Sequence, residues 1–384
     1  MVVLQQTLRV FRRIETQITK LVRGFNRDVP QNIVNRPVVN LARNCRNFCD
    51  FGGSTSEGVI NMAQYSELNS ENVKDFLDSF DTVLFDCDGV LWHGMEAESG
   101  AQDTIKKLRK LGKTPFFVTN NSTKSRKQYA EKFTKLGFEA SKDEVFGTAY
   151  MAALYVKEHL NIQGKVYLMG GAGLEEEFQL HGLSYIGPGP DPLEGDIADW
   201  ANIPLDPEVQ AVVVGFDGHV SYMKMMRAAS YLNNPNMPFI GTNTDGRLPT
   251  KTGRVIPGTG CIVNSVKTAA GREPVIVGKP SKQLVECISK RHKLDRSRTI
   301  MVGDRLDTDI LMGHNCGIRT LFVSSGISSL EEVKQHQASG SPDRLKFVPT
   351  YYLPSVGVLG KLMDTAESPK KRRIETNTSG TQET

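Results

Sequence analysis

Asp86 and Asp88 stand one residue apart at the end of a short apolar run, Thr82 to Phe85. The run is β-branched and aromatic, and it reads as a buried strand of a parallel sheet. Because side chains alternate along a strand, this spacing puts both carboxylates on one side of the chain as it leaves the sheet. Gly89 then lets the backbone turn away sharply. Two acids so placed repel each other and lose hydration, which makes a purely structural role a poor explanation for them. A divalent cation relieves that cost.

Similar polar clusters follow two other strand-like runs. Thr119-Asn120-Asn121-Ser122-Thr123 follows Pro115 to Val118, and Gly303-Asp304-Arg305-Leu306-Asp307-Thr308-Asp309 follows Thr299 to Val302. Taken alone, the first reads equally well as a helix cap through Ser122 or Thr123. In doubly wound sheets, however, ligands bind outside the carboxyl ends of the strands, so the three clusters are expected to converge in one crevice. Lys279, in Gly278-Lys279-Pro280, is a fourth candidate. A lysine there offsets the carboxylates and holds a phosphate as a point charge.

The elements that must position these groups alternate in type. Helices are expected over Gln102 to Leu111, Ser125 to Leu136, Thr148 to His159, Ser221 to Leu232, Ser281 to His292 and Thr308 to His314. Further strands are expected over Lys165 to Met169, Ala211 to Val214, Pro238 to Ile240 and Thr320 to Val323. Gly112 and Gly137 stop two of the helices, and the Gly- and Pro-rich segment 187–207 reads as a loop. This grammar specifies an α/β fold, a Rossmann-like doubly wound parallel sheet with helices on both faces. Residues 164–270 carry elements of their own and none of the four clusters. They read as an inserted α/β domain between two parts of the core, 75–163 and 271–362.

The 384 residues are enough for two domains. No apolar run approaches the ~20 residues needed to span a bilayer, which argues against a membrane as partner. Six cysteines, at 45, 49, 87, 261, 287 and 316, are scattered as in a reducing compartment. Cys45 and Cys49 have no second pair to complete a zinc site. The formal charge of +4 is uneven, because residues 1–60 carry a net +5 and the remainder −1. A nearly neutral body gives no electrostatic reason to expect nucleic acid as partner.

Residues 1–65 read as a basic extension outside the fold. Leu4, Leu8, Phe11, Ile14, Ile18, Leu21 and Phe25 recur at helical spacing among arginines, with Glu15 the only acid before Asp28. That pattern is similar to a mitochondrial presequence, and a bare extension with accidental periodicity reads equally well. Met62 is an alternative start. A cytoplasmic location is expected, or a mitochondrial one if the leader targets. Residues 365–384 read as a disordered polar tail, whose Lys370 to Arg373 resembles an import signal or a solvated basic run.

The set Asp86-Cys87-Asp88-Gly89-Val90, Thr119-Asn120-Asn121-Ser122, Gly278-Lys279-Pro280 and Gly303 to Ile310 stands in that order, with about 150 residues between the second and third. It closely resembles the haloacid dehalogenase superfamily of phosphatases. Within it, the chain is similar to the branch of phosphoglycolate phosphatase, pyridoxal phosphate phosphatase and the bacterial nucleotide phosphatases, whose C2-type cap domain is inserted after the second motif. The superfamily's dehalogenases lack the second aspartate, which is present here as Asp88. The resemblance implies a magnesium-dependent phosphatase acting on a small phosphorylated metabolite of the 2-phosphoglycolate or glycerol 3-phosphate type. Asp217-Gly218-His219 and the run from Gly246 to Gly260 resemble the phosphoglycolate type more than the others. Pyridoxal 5′-phosphate is the alternative substrate, and a catalytically idle relative that binds a phospho-ligand or scaffolds other proteins is the alternative class.

Position by position, the resemblance makes Asp86 the nucleophile that becomes an aspartyl-phosphate, and Asp88 the acid that protonates the leaving oxygen and then activates water. Magnesium is implied at the Asp86 carboxylate, the Asp88 carbonyl and Asp304, with Asp309 orienting that shell. Thr119, the Asn120 amide and Asn121 are implied to hold the phosphoryl oxygens, and Lys279 to neutralise nucleophile and phosphate. Cys87 is a poor thiolate between two carboxylates and is expected to be packed. Gly215 to Tyr222 resembles a substrate-contacting segment of eukaryotic relatives, which makes His219 a candidate reader of the leaving group or else a solvent-facing turn residue. Met169 to Gly173 lacks the ending of a P-loop and reads as a strand-to-helix turn. Tyr222, Met223, Met225 and Met226 share a helix that packs within the insert or against a second copy. Relatives pair through this domain, which implies a homodimer.

Overall fold

The computed structural model describes residues 65–248 and 253–367, so the basic leader with Cys45, Cys49 and Met62, and the run Lys370 to Arg373, lie outside the described residues. Twelve of the strands build two parallel sheets. In chain order they are β1 (Ser66–Glu67), β2 (Thr82–Phe85), β3 (Thr114–Thr119), β4 (Val145–Gly147), β5 (Lys165–Met169), β6 (Ser184–Ile186), β7 (Val209–Val214), β8 (Phe239–Gly241), β9 (Val275–Ile276), β10 (Thr299–Gly303), β11 (Arg319–Val323) and β12 (Tyr351–Leu353). The first sheet has the order β1-β12-β11-β10-β2-β3-β4 and the second β9-β8-β7-β5-β6.

β2 lies between β10 and β3, with Phe85 in register with Val302 on one side and Phe117 on the other. Its residues alternate between faces: Val83 and Phe85 join one apolar cluster and Leu84 the other. Burying a side chain of this kind contributes about 1.5–3 kcal/mol, so three in a row fix the short strand at the centre of the sheet. All three strands run the same way. Their carboxyl ends therefore open on one edge, and the chain order reverses there between β2's two neighbours, as in a topological switch point.

The cluster containing Leu84 continues through Val118, Phe146 and the helix starting at Thr148 to Val166, Leu168 and Val213 of the second sheet. One apolar core thus joins the two sheets. The far face of the second sheet carries helices Tyr222–Leu232 and Thr259–Ala270, packed on Tyr167, Val212 and Val214. Met225 packs against this core, Met223 is buried, and Tyr222 is exposed. The Met169–Gly173 turn leads from β5 into helix Ala172–Leu180, and a Cβ on Gly173 would come 2.5 Å from the Lys124 backbone nitrogen.

Several elements depart from expectation. The insert was expected to end at 270, yet Val275–Ile276 pairs with β8, so the second sheet continues to Ile276. A two-residue strand carries too few side chains to show a period. The polar tail was expected from 365, but helix Val356–Glu367 runs past that point. Val356, Leu359 and Met363 bury one face of it, and Asp364 pairs with Lys107 at 2.6 Å. Within the expected loop 187–207, Asp196 caps a short helix, Ile197–Ala201. The helix from Thr148 changes to a wider π turn over Tyr155–His159, and the late helix begins as a π turn, Leu306–Ile310, before Leu311–Cys316. No described helix is long and apolar enough to cross a membrane.

Candidate active site

The three strand ends deliver their polar clusters to one cavity. Asp86, Asp88, Thr119, Asn120, Asn121 and Lys279 all line it. The Asp86 amide donates to the Val302 carbonyl at 2.9 Å, which extends the pairing of β2 with β10 one residue past the strand and fixes the carboxylate at the sheet edge. Gly89 follows with φ +91, and a Cβ there would come 2.6 Å from Asp304 Oδ2. Only glycine combines that left-handed backbone with so close an approach. Cys87 is fully buried, and burial with both flanking carboxylates pushes its thiol pKa well up, so it is a packed residue.

Lys279 is buried against two acids. Its Nζ lies 2.5 Å from Asp86 Oδ1 and 2.7 Å from Asp309 Oδ1, and it donates to the Val118 carbonyl at 3.3 Å. Burial alone would lower its pKa, but Asp309 and Asp86 hold it above the ordinary value and keep the side chain an ammonium. Its backbone is clamped by Asn120, whose side chain accepts from Lys279 N–H at 2.8 Å and donates to the Lys279 carbonyl at 3.1 Å. The Asn120 carboxamide thus positions Lys279.

Asn121 Oδ1 accepts from the Thr123 amide at 2.8 Å and its hydroxyl at 2.7 Å, closing a turn that presents this loop, and the Asn121 amide donates to Thr119 Oγ1 at 3.2 Å. Ser125 caps the helix Arg126–Lys135 that follows.

Asp304 and Asp309 come from the last cluster. The π turn brings Asp309 back so that its carboxylate accepts the Arg305 amide at 3.1 Å, directly under Gly303, where a Cβ would meet Asp309 Cβ at 2.2 Å. Asp304 Oδ2 accepts from Ile327 N–H at 2.7 Å, while its Oδ1 is buried with no partner. Oxygens of Asp86, Asp304 and Asp309 lie within 4.8 Å of one another. Three buried carboxylates share one ammonium, and the orphaned buried oxygen among them is an atom that a cation would satisfy. A divalent cation fits this donor set.

Burial, then Asp309, raises the Asp304 pKa from its ordinary 3.8 to about 7. A carboxyl raised in this way stabilises the fold fully below the unfolded value and loses that contribution as pH rises through the folded one. Metal-free protein is therefore expected to lose thermal stability between about pH 4 and 7, and magnesium to restore it at the upper end. Melting temperatures in chelator and in excess magnesium, stepped through pH, measure this. A chelated protein that grows more stable over that range would contradict the assignment.

His219 is not brought into the cavity. It is exposed, because Asp217 turns its loop outward by accepting the His219 amide at 2.8 Å while pairing with buried Lys224 at 2.7 Å. Its neighbour Phe216 lines the cavity instead, with its amide donating to Ser122 Oγ at 3.3 Å.

Residues 83–184 match the family model described as haloacid dehalogenase-like hydrolase, and residues 276–357 match a second, HAD-hydrolase-like model. The chain is 48% identical over 295 residues to the glycerol-3-phosphate phosphatase of Gallus gallus, an alignment covering 76% of this chain and 95% of that one. The chain belongs to the haloacid dehalogenase-like hydrolases. It is also 39% identical over 303 residues to chronophin of Homo sapiens, covering 78% and 98% of the two chains. The crystal structure of glycerol phosphate phosphatase from Mycobacterium tuberculosis in complex with magnesium is similar at a TM-score of 0.61 and 26% identity, over 74% of this chain and 77% of that one.

In this haloacid dehalogenase-like hydrolase the sequence reading missed Asp245, which lines the cavity together with Arg247 and Arg305. Asp245 is half-buried, and its desolvation, offset by Arg305, raises its pKa. It accepts from Asn120 Nδ2 at 3.2 Å and lies 3.4 Å from Arg305 Nη1. A signal for it was present. Thr242-Asn243-Thr244-Asp245 follows β8 with the same threonine–asparagine start that Thr119-Asn120 has after β3, and Asn243 donates to the Asn120 carbonyl at 2.6 Å.

Proposed function

We propose that this chain is a magnesium-dependent phosphatase that hydrolyses a small phosphomonoester, glycerol 3-phosphate foremost and 2-phosphoglycolate next, through an aspartyl-phosphate on Asp86. The observation that carries the reading is Asp86 at the mouth of a buried acid cluster, paired with Lys279 at 2.5 Å and facing Asp88 and Thr119 across one cavity. Glycerol-3-phosphate phosphatase as a relative at 48% identity supports the substrate class.

Asp86, Asp304 and the Asp88 carbonyl would hold magnesium, with Asp309 behind them; when bound, the ion would neutralise phosphate charge. Asp86 attacks phosphorus, Lys279 draws the Asp86 pKa down and offsets phosphate charge, and the Asn120 amide with Thr119 Oγ1 donates to phosphoryl oxygens. Asp88 gives its proton to the leaving alkoxide and later takes one from the hydrolytic water. Phe216, Arg247 and Leu248, from segments of the inserted domain, close the leaving-group side and exclude water, so this cap is the selector in the proposal.

Purified protein with magnesium, screened against glycerol 3-phosphate, 2-phosphoglycolate, pyridoxal 5′-phosphate and p-nitrophenyl phosphate, tests the reading. Release is expected from the first with the highest kcat/KM. Release from none would leave an idle phospho-ligand binder or scaffold in its place.

The proposal includes a homodimer through the cap. Tyr222, Met225, Met226 and Ala229 line an apolar groove on helix Tyr222–Leu232, and Tyr222 is exposed in it. Light scattering is expected to give a dimer for this protein and a monomer for Met225→Glu; a monomer for both would remove that element.

A further inference from the structure

Lys132 belongs to none of the four clusters, yet it is nine-tenths buried on helix Arg126–Lys135. Its Nζ lies 3.6 Å from Asp88 Oδ1 and 4.2 Å from the centre of the Trp92 ring. Trp92 Nε1–H donates to the same oxygen, Asp88 Oδ1, at 2.9 Å. The indole is fully buried and is wedged between Phe133, the residue after Lys132, at 4.8 Å and Phe138 at 5.9 Å. Phe133 in turn packs on Phe117 of β3 at 4.4 Å, so the clamp is built on the strand that carries Thr119.

Stability does not explain a charge here. A buried ion pair is often no better than an apolar side chain of the same volume, since the attraction is offset by lost hydration. Part of the ammonium's compensation comes from the indole face, and burial still lowers the Lys132 pKa. What the arrangement does achieve is geometric. Two donors from two elements converge on one oxygen of Asp88, and Asp88 lines the cavity.

We propose that Lys132, acting with Trp92, is a positioning residue that pins Asp88 by Oδ1 and so presents Oδ2 to the leaving group and to water. This role rests on Asp88 acting as the acid and base proposed above. As an Asp86 oxygen bonds to phosphorus and the ester P–O bond breaks, the proton on Asp88 Oδ2 passes to the departing alkoxide. In hydrolysis a water oxygen bonds to phosphorus, the acyl-phosphate P–O bond breaks, and the water proton returns to Oδ2. Both transfers need the same oxygen at the same place. A misplacement of about 1 Å in such a group costs on the order of 100-fold.

The experiment compares leaving groups. An alkoxide needs the proton, whereas p-nitrophenolate leaves without it. Single-turnover rates of Asp86 phosphorylation are measured by rapid quench with glycerol 3-phosphate and with p-nitrophenyl phosphate, for the full chain and for Lys132→Met, Lys132→Arg, Trp92→Phe and Asp88→Asn. Lys132→Met is expected to slow the alkyl reaction roughly 10- to 100-fold and the aryl reaction less than about 3-fold, with the melting temperature kept. Lys132→Arg is expected to regain most of the alkyl rate. If Lys132→Met does not fold, Trp92→Phe carries the same expectation with a smaller alkyl loss. Equal losses on both substrates, or no loss on either, would overturn the role of Lys132. Asp88→Asn separates the two levels: an alkyl-selective loss there without one in Lys132→Met sinks the positioning role alone, and no alkyl selectivity in Asp88→Asn sinks the acid–base assignment beneath it.

Discussion

Asp86→Asn is expected to release no phosphate and to form no phosphoenzyme, while Asp88→Asn is expected to accumulate phosphate on Asp86. The two residues have one residue between them, but in the proposed reaction they serve different moments. An amide is too poor a nucleophile to replace the Asp86 carboxylate, so the first bond to phosphorus never forms. The loss is not one of folding, because Lys279 keeps its contact with Asp309 at 2.7 Å when the charge on Asp86 is removed. Asp88→Asn keeps both the nucleophile and the main-chain carbonyl offered to the metal. It loses the proton donor and the later base. With p-nitrophenyl phosphate, whose leaving group needs little protonation, the first step survives and the second stalls. Acid–base assistance is worth ~10²- to 10⁴-fold, and dephosphorylation is expected to slow by that order. Rapid quench with labelled substrate and mass spectrometry of the active-site peptide read the result. Label on any other residue, or a phosphoenzyme in Asp86→Asn, would mean that the roles are misassigned.

Those two residues were legible in the sequence because strand and site share one cause. A run such as Val83 to Phe85, apolar at every position, has to be covered on both faces, and two acids soon after it cannot continue that burial without a reason. The same holds for Thr119 at the end of β3 and Asp304 after β10. What stayed hidden depends on contacts between distant segments. Lys132 reads as one more lysine on an amphipathic helix, and only the packing of Phe133 against Trp92 shows that it is buried beside Asp88. His219 looked like a reader of substrate because its segment follows a strand of the insert. The buried Asp217–Lys224 pair turns that segment so that Phe216 enters the cavity in its place. Asp245 failed to register for a simpler reason: its run reads as a turn until Asn243 and Asn120 are seen to bond across the two sheets.

Lys279→Met is expected to abolish turnover and to destabilise the metal-free protein strongly at alkaline pH but little at acid pH. The side chain is fully enclosed by Asp86, Asp309 and the Val118 carbonyl, and its backbone is held independently by Asn120. Methionine fits that volume without moving the loop. It leaves two buried carboxylates without the cation that separates them. Removing one partner of a buried charge pair costs about 3–5 kcal/mol, because the other is left uncompensated. For a folded body of about 300 residues, that is a fall of roughly 5–8 °C in melting temperature. The sign of the pH dependence follows from Asp86, whose pKa burial already raises well above the ordinary carboxylate value and which Lys279 and its hydrogen bond draw back down. Without the lysine, Asp86 holds its proton to higher pH, so the repulsion is absent in acid and appears as the solution becomes alkaline. Magnesium is expected to recover part of the stability, since it supplies positive charge to the same oxygens, but none of the activity, since the phosphate loses its point charge. Urea unfolding at pH 5 and pH 8, with chelator and with magnesium, separates these contributions. A loss of stability equal at both pH values would show that the lysine acts through packing alone.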